Sequence, residues 1–238
     1  MMKRQIAIDA RDQMPANQAG RQVGPKSGGL ECKAYDARFR QLLDKAAWAG
    51  LPQAVQYRFS KRIEGAKVVI YPGIIRKVRA SLAGRVFIQL CRLIGAPLPL
   101  GQDPGVPAAV FVSEDGDGGG QCWSRIYGRK HGFPQAIHSA KRFAGPTGLE
   151  EHIGCGIGMA LNVFAVDKGL EFRSDHYFVQ IAGKRLRIPG WMQPGQTVVR
   201  HIDQGLGDDG VGRFVFSLRL KHKWLGELIY QEGLFSDG

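Results

Sequence analysis

From Pro107 to Leu234 the chain repeats one pattern: short runs in which apolar and polar residues alternate, cut by Gly, Pro and Asp. A period of two places successive side chains on opposite faces of an extended strand, and the cuts supply turns, so roughly nine strands follow one another. Connections this short cannot return the chain to a parallel neighbour. The sheet is therefore antiparallel, and doubly wound α/β folds are excluded. A sheet of so many strands twists and curls into a barrel or half-barrel.

The clearest strand is Arg213 to Lys221, with Phe214, Phe216, Leu218 and Leu220 on one face. In Glu114 to Gly120 the acidic Gly-rich run reads as a loop, without the spacing or distal Glu of an EF-hand. Asp167-Lys168-Gly169 reads as a tight turn with Gly at a positive φ. Alternation fails once, between Leu170 and Ile181. Leu170 and Phe172 share one parity, whereas Tyr177, Val179 and Ile181 share the other. Either a bulge shifts the phase near Ser174 to His176, or Ser174 and His176 share a face with Phe172 and Phe178 and put polar groups into an apolar lining.

Before the meander the pattern differs. Residues 1–33 carry Gly, Gln, Lys and Pro without periodicity and read as a disordered leader. Phe39, Leu42, Leu43 and Ala46 then recur at helical spacing between Asp36, a candidate N-cap, and Gly50, with a short second helix opened by Leu51-Pro52. Lys67 to Tyr71 and Ile74 to Ala80 read as strand, broken at Pro72-Gly73. Ser81 caps a helix running to about Ile94 that is apolar on most sides, with Arg85, Gln89 and Arg92 as a narrow polar stripe. Such a helix packs on a sheet's concave face or lies on a membrane surface. The expected fold class is α+β, mostly antiparallel β: a single domain over 34–235 whose curled sheet carries two or three N-terminal helices, one packed on the concave face.

The net charge of +12 admits anionic partners, nucleic acid or lipid headgroups among them. Trp123, Arg125 and Tyr127 share one parity and invite a nucleic-acid stacking platform. No oligonucleotide-binding pattern accompanies them, so a cation–π ladder on an outer face is the preferred reading, and nucleic acid is not an expected partner. No stretch is long and apolar enough to span a bilayer, and no secretory signal opens the chain. A cytoplasmic protein follows, with peripheral membrane contact left open. Its four cysteines match neither a zinc site nor a disulfide framework.

No catalytic signature appears. Gly154-Cys155-Gly156-Ile157-Gly158 has Met159 where a dinucleotide loop needs its third Gly, and a strand follows instead of a helix. Small residues that let a strand pass close to another element explain it better. Glu150 and His152 share a strand face, but a metal would need a third ligand such as His176 or His222, and neither metal nor cofactor is expected.

Arg187-Ile188-Pro189, Pro194-Gly195, His201, Gly212 to Phe216 and His222 to Gln231, together with Phe39, Leu42-Leu43, Leu51-Pro52 and Leu93 to Pro97, resemble a bacterial family of uncharacterised domains over about Tyr35 to Phe235. Members of that family stand alone or follow a dehydrogenase-like nucleotide-binding domain. The resemblance transfers no catalytic residue, but it implies a dehydrogenase-like protein as a partner for an accessory domain.

The leading expectation is a non-enzymatic domain that binds an apolar or amphipathic, lipid-like small molecule in the concavity of its sheet. Ser174 and His176 are the expected polar groups of the lining. Arg85 and Arg92, with Lys77 and Arg79, would meet a carboxylate or phosphate head at the mouth. An enzyme of unidentified type is the further alternative, and it would require His152, His176, His222 and Glu227 to converge.

Overall fold

A computed structural model describes residues 36–238 apart from 66, 94, 96, 97 and 102. The leader expected over 1–33 lies outside these residues. The described chain is mostly antiparallel β, as its alternation requires, and forms a closed barrel of ten strands with a few helices.

Helix α1 (Lys45–Ala49) and helix α2 (Gln53–Ser60) come first. The single helix expected from Asp36 is instead a 3-10 turn over Arg40–Leu42 followed by α1, which Asp44 caps through its carboxylate to the Ala47 N–H, 2.7 Å. Asp36 engages Arg38 instead of capping a helix. Strand β1 (Val68–Ala80) runs unbroken through Pro72-Gly73. Pairing with the last strand begins only at Gly73, so at Pro72 the strand still has an edge on that side, where proline is tolerated. Gly73 is needed because a Cβ there would meet the Leu234 carbonyl and the Phe235 ring.

Helix α3 (Leu82–Leu93) follows, with Ser81 Oγ accepting from the Gly84 N–H at 3.1 Å. The meander is then β2 (Pro107–Asp115), β3 (Gly120–Tyr127), β4 (Gln135–Arg142), β5 (Glu150–Gly154), β6 (Ile157–Val166), β7 (Gly169–Ile181), β8 (Lys184–Arg187), β9 (Gln196–Leu206), β10 (Gly212–His222) and β11 (Gly226–Ser236). Glu114, Asp115 and Gly120 belong to the strands β2 and β3, not to the loop between them. Strand order is β6-β5-β4-β3-β2-β1-β11-β10-β9-β7, and pairing of β6 with β7 closes the ring. The short β8 hydrogen-bonds to the upper part of β7, beyond the reach of β9.

The phase break in β7 is a bulge. Ala160 pairs with His176 and Leu161 with Ser174, leaving Asp175 over, so Phe172 and Tyr177 both reach the interior despite opposite parity. In the β6–β7 turn the positive φ falls on Lys168 rather than on Gly169. Gly169 serves close approach instead, since a Cβ there would meet the His201 carbonyl.

Antiparallel pairing sends the connections alternately to two ends of the barrel. One end is filled by α1, α2 and the residues before them. Phe39, Trp48, Leu51, Val55 and Phe59 pack on Leu161, Leu170 and Phe172 inside the strands. The other end gathers the β3–β4, β5–β6, β7–β8 and β10–β11 turns and the β8–β9 corner, with α3 across it. Gly84 lies so close to β11 that a Cβ would meet the Leu228 carbonyl, and Gly95, just past the helix, abuts the Cys155 thiol of the β5–β6 turn. Those two contacts are on opposite sides of the ring. The helix thus bridges the barrel mouth as a lid.

Candidate functional site: a lidded cavity with a charged floor

Eight strands make a barrel just wide enough for side chains to fill, and ten leave room. Below α3 the interior keeps a cavity of about 220 Å³. This is larger than the ~150 Å³ apolar void that accepts a benzene ring. Phe87 and Cys91 of α3, with Leu98 and Pro99 after it, form the roof; Ile188, Met192 and Pro194 of the β8–β9 corner close one side. The walls are apolar: Ile137, Ile157, Met159, Val199, Phe216, Leu218 and Leu220.

Polar groups gather deeper in. Going down β3 and its partner β4 from the lid, the inward residues are Tyr127, then Arg125 opposite Ile137, then Trp123 opposite Ser139, then Gln121 opposite Lys141. Lys141 in turn pairs with Glu151 of β5. Arg125 Nη2 donates to Glu151 Oε1 at 3.2 Å, Ser139 Oγ donates to the same oxygen at 2.8 Å, and Lys141 Nζ stands 3.2 Å from Oε2. The ammonium of Lys141 also sits 4.6 Å from the centroid of the Trp123 ring, a cation–π contact that offsets part of its lost hydration.

Two buried cations thus face one carboxylate, and the titration behaviour follows. Burial alone would raise the Glu151 carboxyl, but the charges of Lys141 and Arg125 and the Ser139 hydroxyl bring it down to about 2. Burial depresses the Lys141 ammonium, and Glu151 opposes this only in part. Arg125 Nε is buried with no hydrogen-bond partner. A guanidinium N–H left this way costs about 1–3 kcal/mol.

A family model described as a domain of unknown function, DUF4166, matches residues 51–235. The chain belongs to this family. No curated protein and no solved structure matches it. The DUF4166 match takes in α2, the lid and all the residues of the cavity.

The site residues expected from sequence occupy different parts of this DUF4166 domain. Ser174 is buried beside the wall rather than in it: its Oγ accepts from the Thr197 N–H at 2.9 Å, and Thr197 Oγ1 shares a 2.6 Å hydrogen bond with the Tyr177 hydroxyl. Tyr177 and Thr197 line the cavity themselves. His176, on the far side of the bulge, bonds Asp175 through Nδ1 at 2.7 Å. Arg85 and Arg92 lie on the exposed side of the lid, Arg92 donating to Gln89 at 3.0 Å. His152, His176, His222 and Glu227 are not brought together. His152 meets Glu150, which also holds Arg185; His222 accepts from the N–H groups of its own turn; Glu227 pairs with Arg79 and Arg219. Among the described residues no group of three His, Cys, Asp or Glu could hold a metal.

One expectation is reversed. Trp123, Arg125 and Tyr127 do share a face, but it is the inner face of the barrel, Trp123 and Tyr127 being buried and Arg125 lining the cavity. The floor group Arg125, Ser139, Lys141 and Glu151 is what sequence reasoning missed. Its one signal was an arginine in phase with two large aromatics, a pattern that fits an interior charge as well as an outer ladder.

Proposed function

We propose that this domain binds an amphipathic small molecule with an anionic end, its apolar body under the lid and its carboxylate or phosphate toward Arg125. The observation that carries this reading is the floor itself: the Arg125 guanidinium lines the depth of an apolar cavity and shares one carboxylate, Glu151, with the buried Lys141. A purely apolar ligand gains nothing from that charge, whereas an anion adds a charge-assisted hydrogen bond where two cations share one carboxylate. Arg85 and Arg92 then act at the outer surface of the lid, on approach of the ligand and not on its final seat. The free thiols of Cys91, Cys122 and Cys155 suit a reducing compartment, in keeping with a cytoplasmic protein.

Displacement of a fluorescent fatty-acid analogue tests the reading, with decanoate and decanol as competitors. Decanoate should compete on the order of tenfold better than decanol, the worth of one charged hydrogen bond. Arg125→Leu should abolish that difference while leaving decanol unchanged. Equal competition by acid and alcohol in the unmodified protein would refute the anionic floor.

A further inference from the structure

The lid has a second apolar face. Gly84, Ile88 and Cys91 turn toward the barrel and are buried, whereas Leu82, Val86, Leu90 and Leu93, on the opposite side, are 80%, 62%, 54% and 82% exposed. A helix normally keeps such a stripe out of water. The neighbouring turns repeat the anomaly: Trp191 in the β8–β9 corner and Trp224 in the β10–β11 turn are each 71% exposed. All of these belong to the lid end of the barrel.

The same end is predominantly basic. The segments 82–93, 128–134, 181–195 and 221–227 contain nine Lys and Arg against one acid, Glu227, which lies across from Lys221. One of the nine, Arg185, reaches Glu150; Asp103, in the segment after the lid, is the nearest acid in sequence to that helix. The turns at the opposite end carry Asp117, Asp167, Asp208 and Asp209. That end also carries Lys168 and, on α1, α2 and their flanks, Arg40, Lys45, Lys61 and Arg62 beside Asp44 and Glu64, so acids and bases are mixed there whereas bases predominate at the lid end.

We propose that the lid end docks on an anionic bilayer surface, the stripe of α3 and the two tryptophans entering the headgroup boundary while the surrounding cations meet lipid phosphates. Exposed leucines flanked by arginine, with tryptophan at the same level, are what an interfacial helix presents. A nucleic acid would use the cations but not the leucine stripe. A second copy docking through the same face would bring two cationic rims together. The docking is independent of what the cavity holds and orients its lid toward the bilayer.

Vesicle flotation tests this on the full chain. Phosphatidylcholine vesicles containing phosphatidylglycerol should carry the protein, pure phosphatidylcholine far less, and 1 M salt should weaken binding because screening shortens to ~3 Å. Val86→Asp with Leu90→Asp should lower partition on the order of tenfold or more, since two exposed apolar side chains are lost from the contact. Lys221→Glu with Lys223→Glu should do likewise on a different element, so that a folding defect in the lid cannot decide the result. Brominated lipid should quench the exposed tryptophans. Failure to bind anionic vesicles at low salt, binding by both double variants as tight as that of the unmodified protein, or tighter binding to an oligonucleotide would each overturn the proposal. None of these outcomes depends on decanoate competition, so the two readings stand or fall separately.

Discussion

His201 lies between the rings of Phe59 and Phe214, with centroids 5.1 and 4.4 Å away, and its Nδ1 has no hydrogen-bond partner. Burial, then the nearby charge of Arg58, pushes its imidazole down to about 3 from an ordinary 6.5. Between those values the unfolded chain takes up a proton that the folded one refuses. Stability therefore falls as pH drops through that window, by up to ~1.4 kcal/mol per pH unit. Glu151 adds a second loss below its ordinary 4.5, as its salt bridges are protonated toward about 2. Urea midpoints measured from pH 7 to pH 4 should decline, and His201→Phe should flatten the decline between pH 6 and 4.5; an unchanged slope would contradict a neutral buried His201. This residue shows what a lone sequence can conceal. Its position in a strand was legible, but whether a histidine faces a phenylalanine box or water depends on which side of the strand the barrel closes. Lys141 and Glu151 were hidden the same way: hydropathy assigns both to the surface, and only the three-way pairing among β3, β4 and β5 puts them inside.

At the level of elements, alternation revealed nearly every strand of the meander, because a half-buried strand must alternate. It could not reveal β1 as one strand, since Pro72-Gly73 is a break signal whose exception depends on β11 ending its pairing at Gly73. Nor could the N-terminal periodicity distinguish one helix from a 3-10 turn plus α1, because Phe39 and Leu42 meet the barrel core either way. The break at Leu170 to Ile181 proved to be the bulge at Asp175, which keeps Tyr177 on the cavity wall and leaves Ser174 to brace Thr197. For α3 the decisive residue is Gly84. A Cβ there would meet the Leu228 carbonyl, so Gly84→Ala should lift the helix from β11 at a cost of about 1–3 kcal/mol. Hydrogen exchange over residues 82–93 should accelerate in that variant while β3 to β7 stay protected. Uniform acceleration through the barrel would mean the helix is a structural part of the core and not a separable lid.

Over the whole molecule, the two ends of one barrel have been given different tasks. At one end, aromatic side chains of α1, α2 and the segment before them complete the hydrophobic core. At the other, a helix spans a cavity whose walls are apolar and whose depth holds Arg125 and Glu151, with Lys141 behind Glu151. Among the described residues no helix is long and apolar enough to cross a membrane. The architecture and the membership of DUF4166 are fixed by the strand pattern and the family match, while the ligand is inferred from the floor. The most direct test is native mass spectrometry of freshly purified, intact protein, followed by titration with a panel of fatty acids and lipids. A one-to-one adduct, released on denaturation and carrying an acidic group, is the predicted result. Protein that arrives unliganded and takes up nothing from the panel would contradict the account.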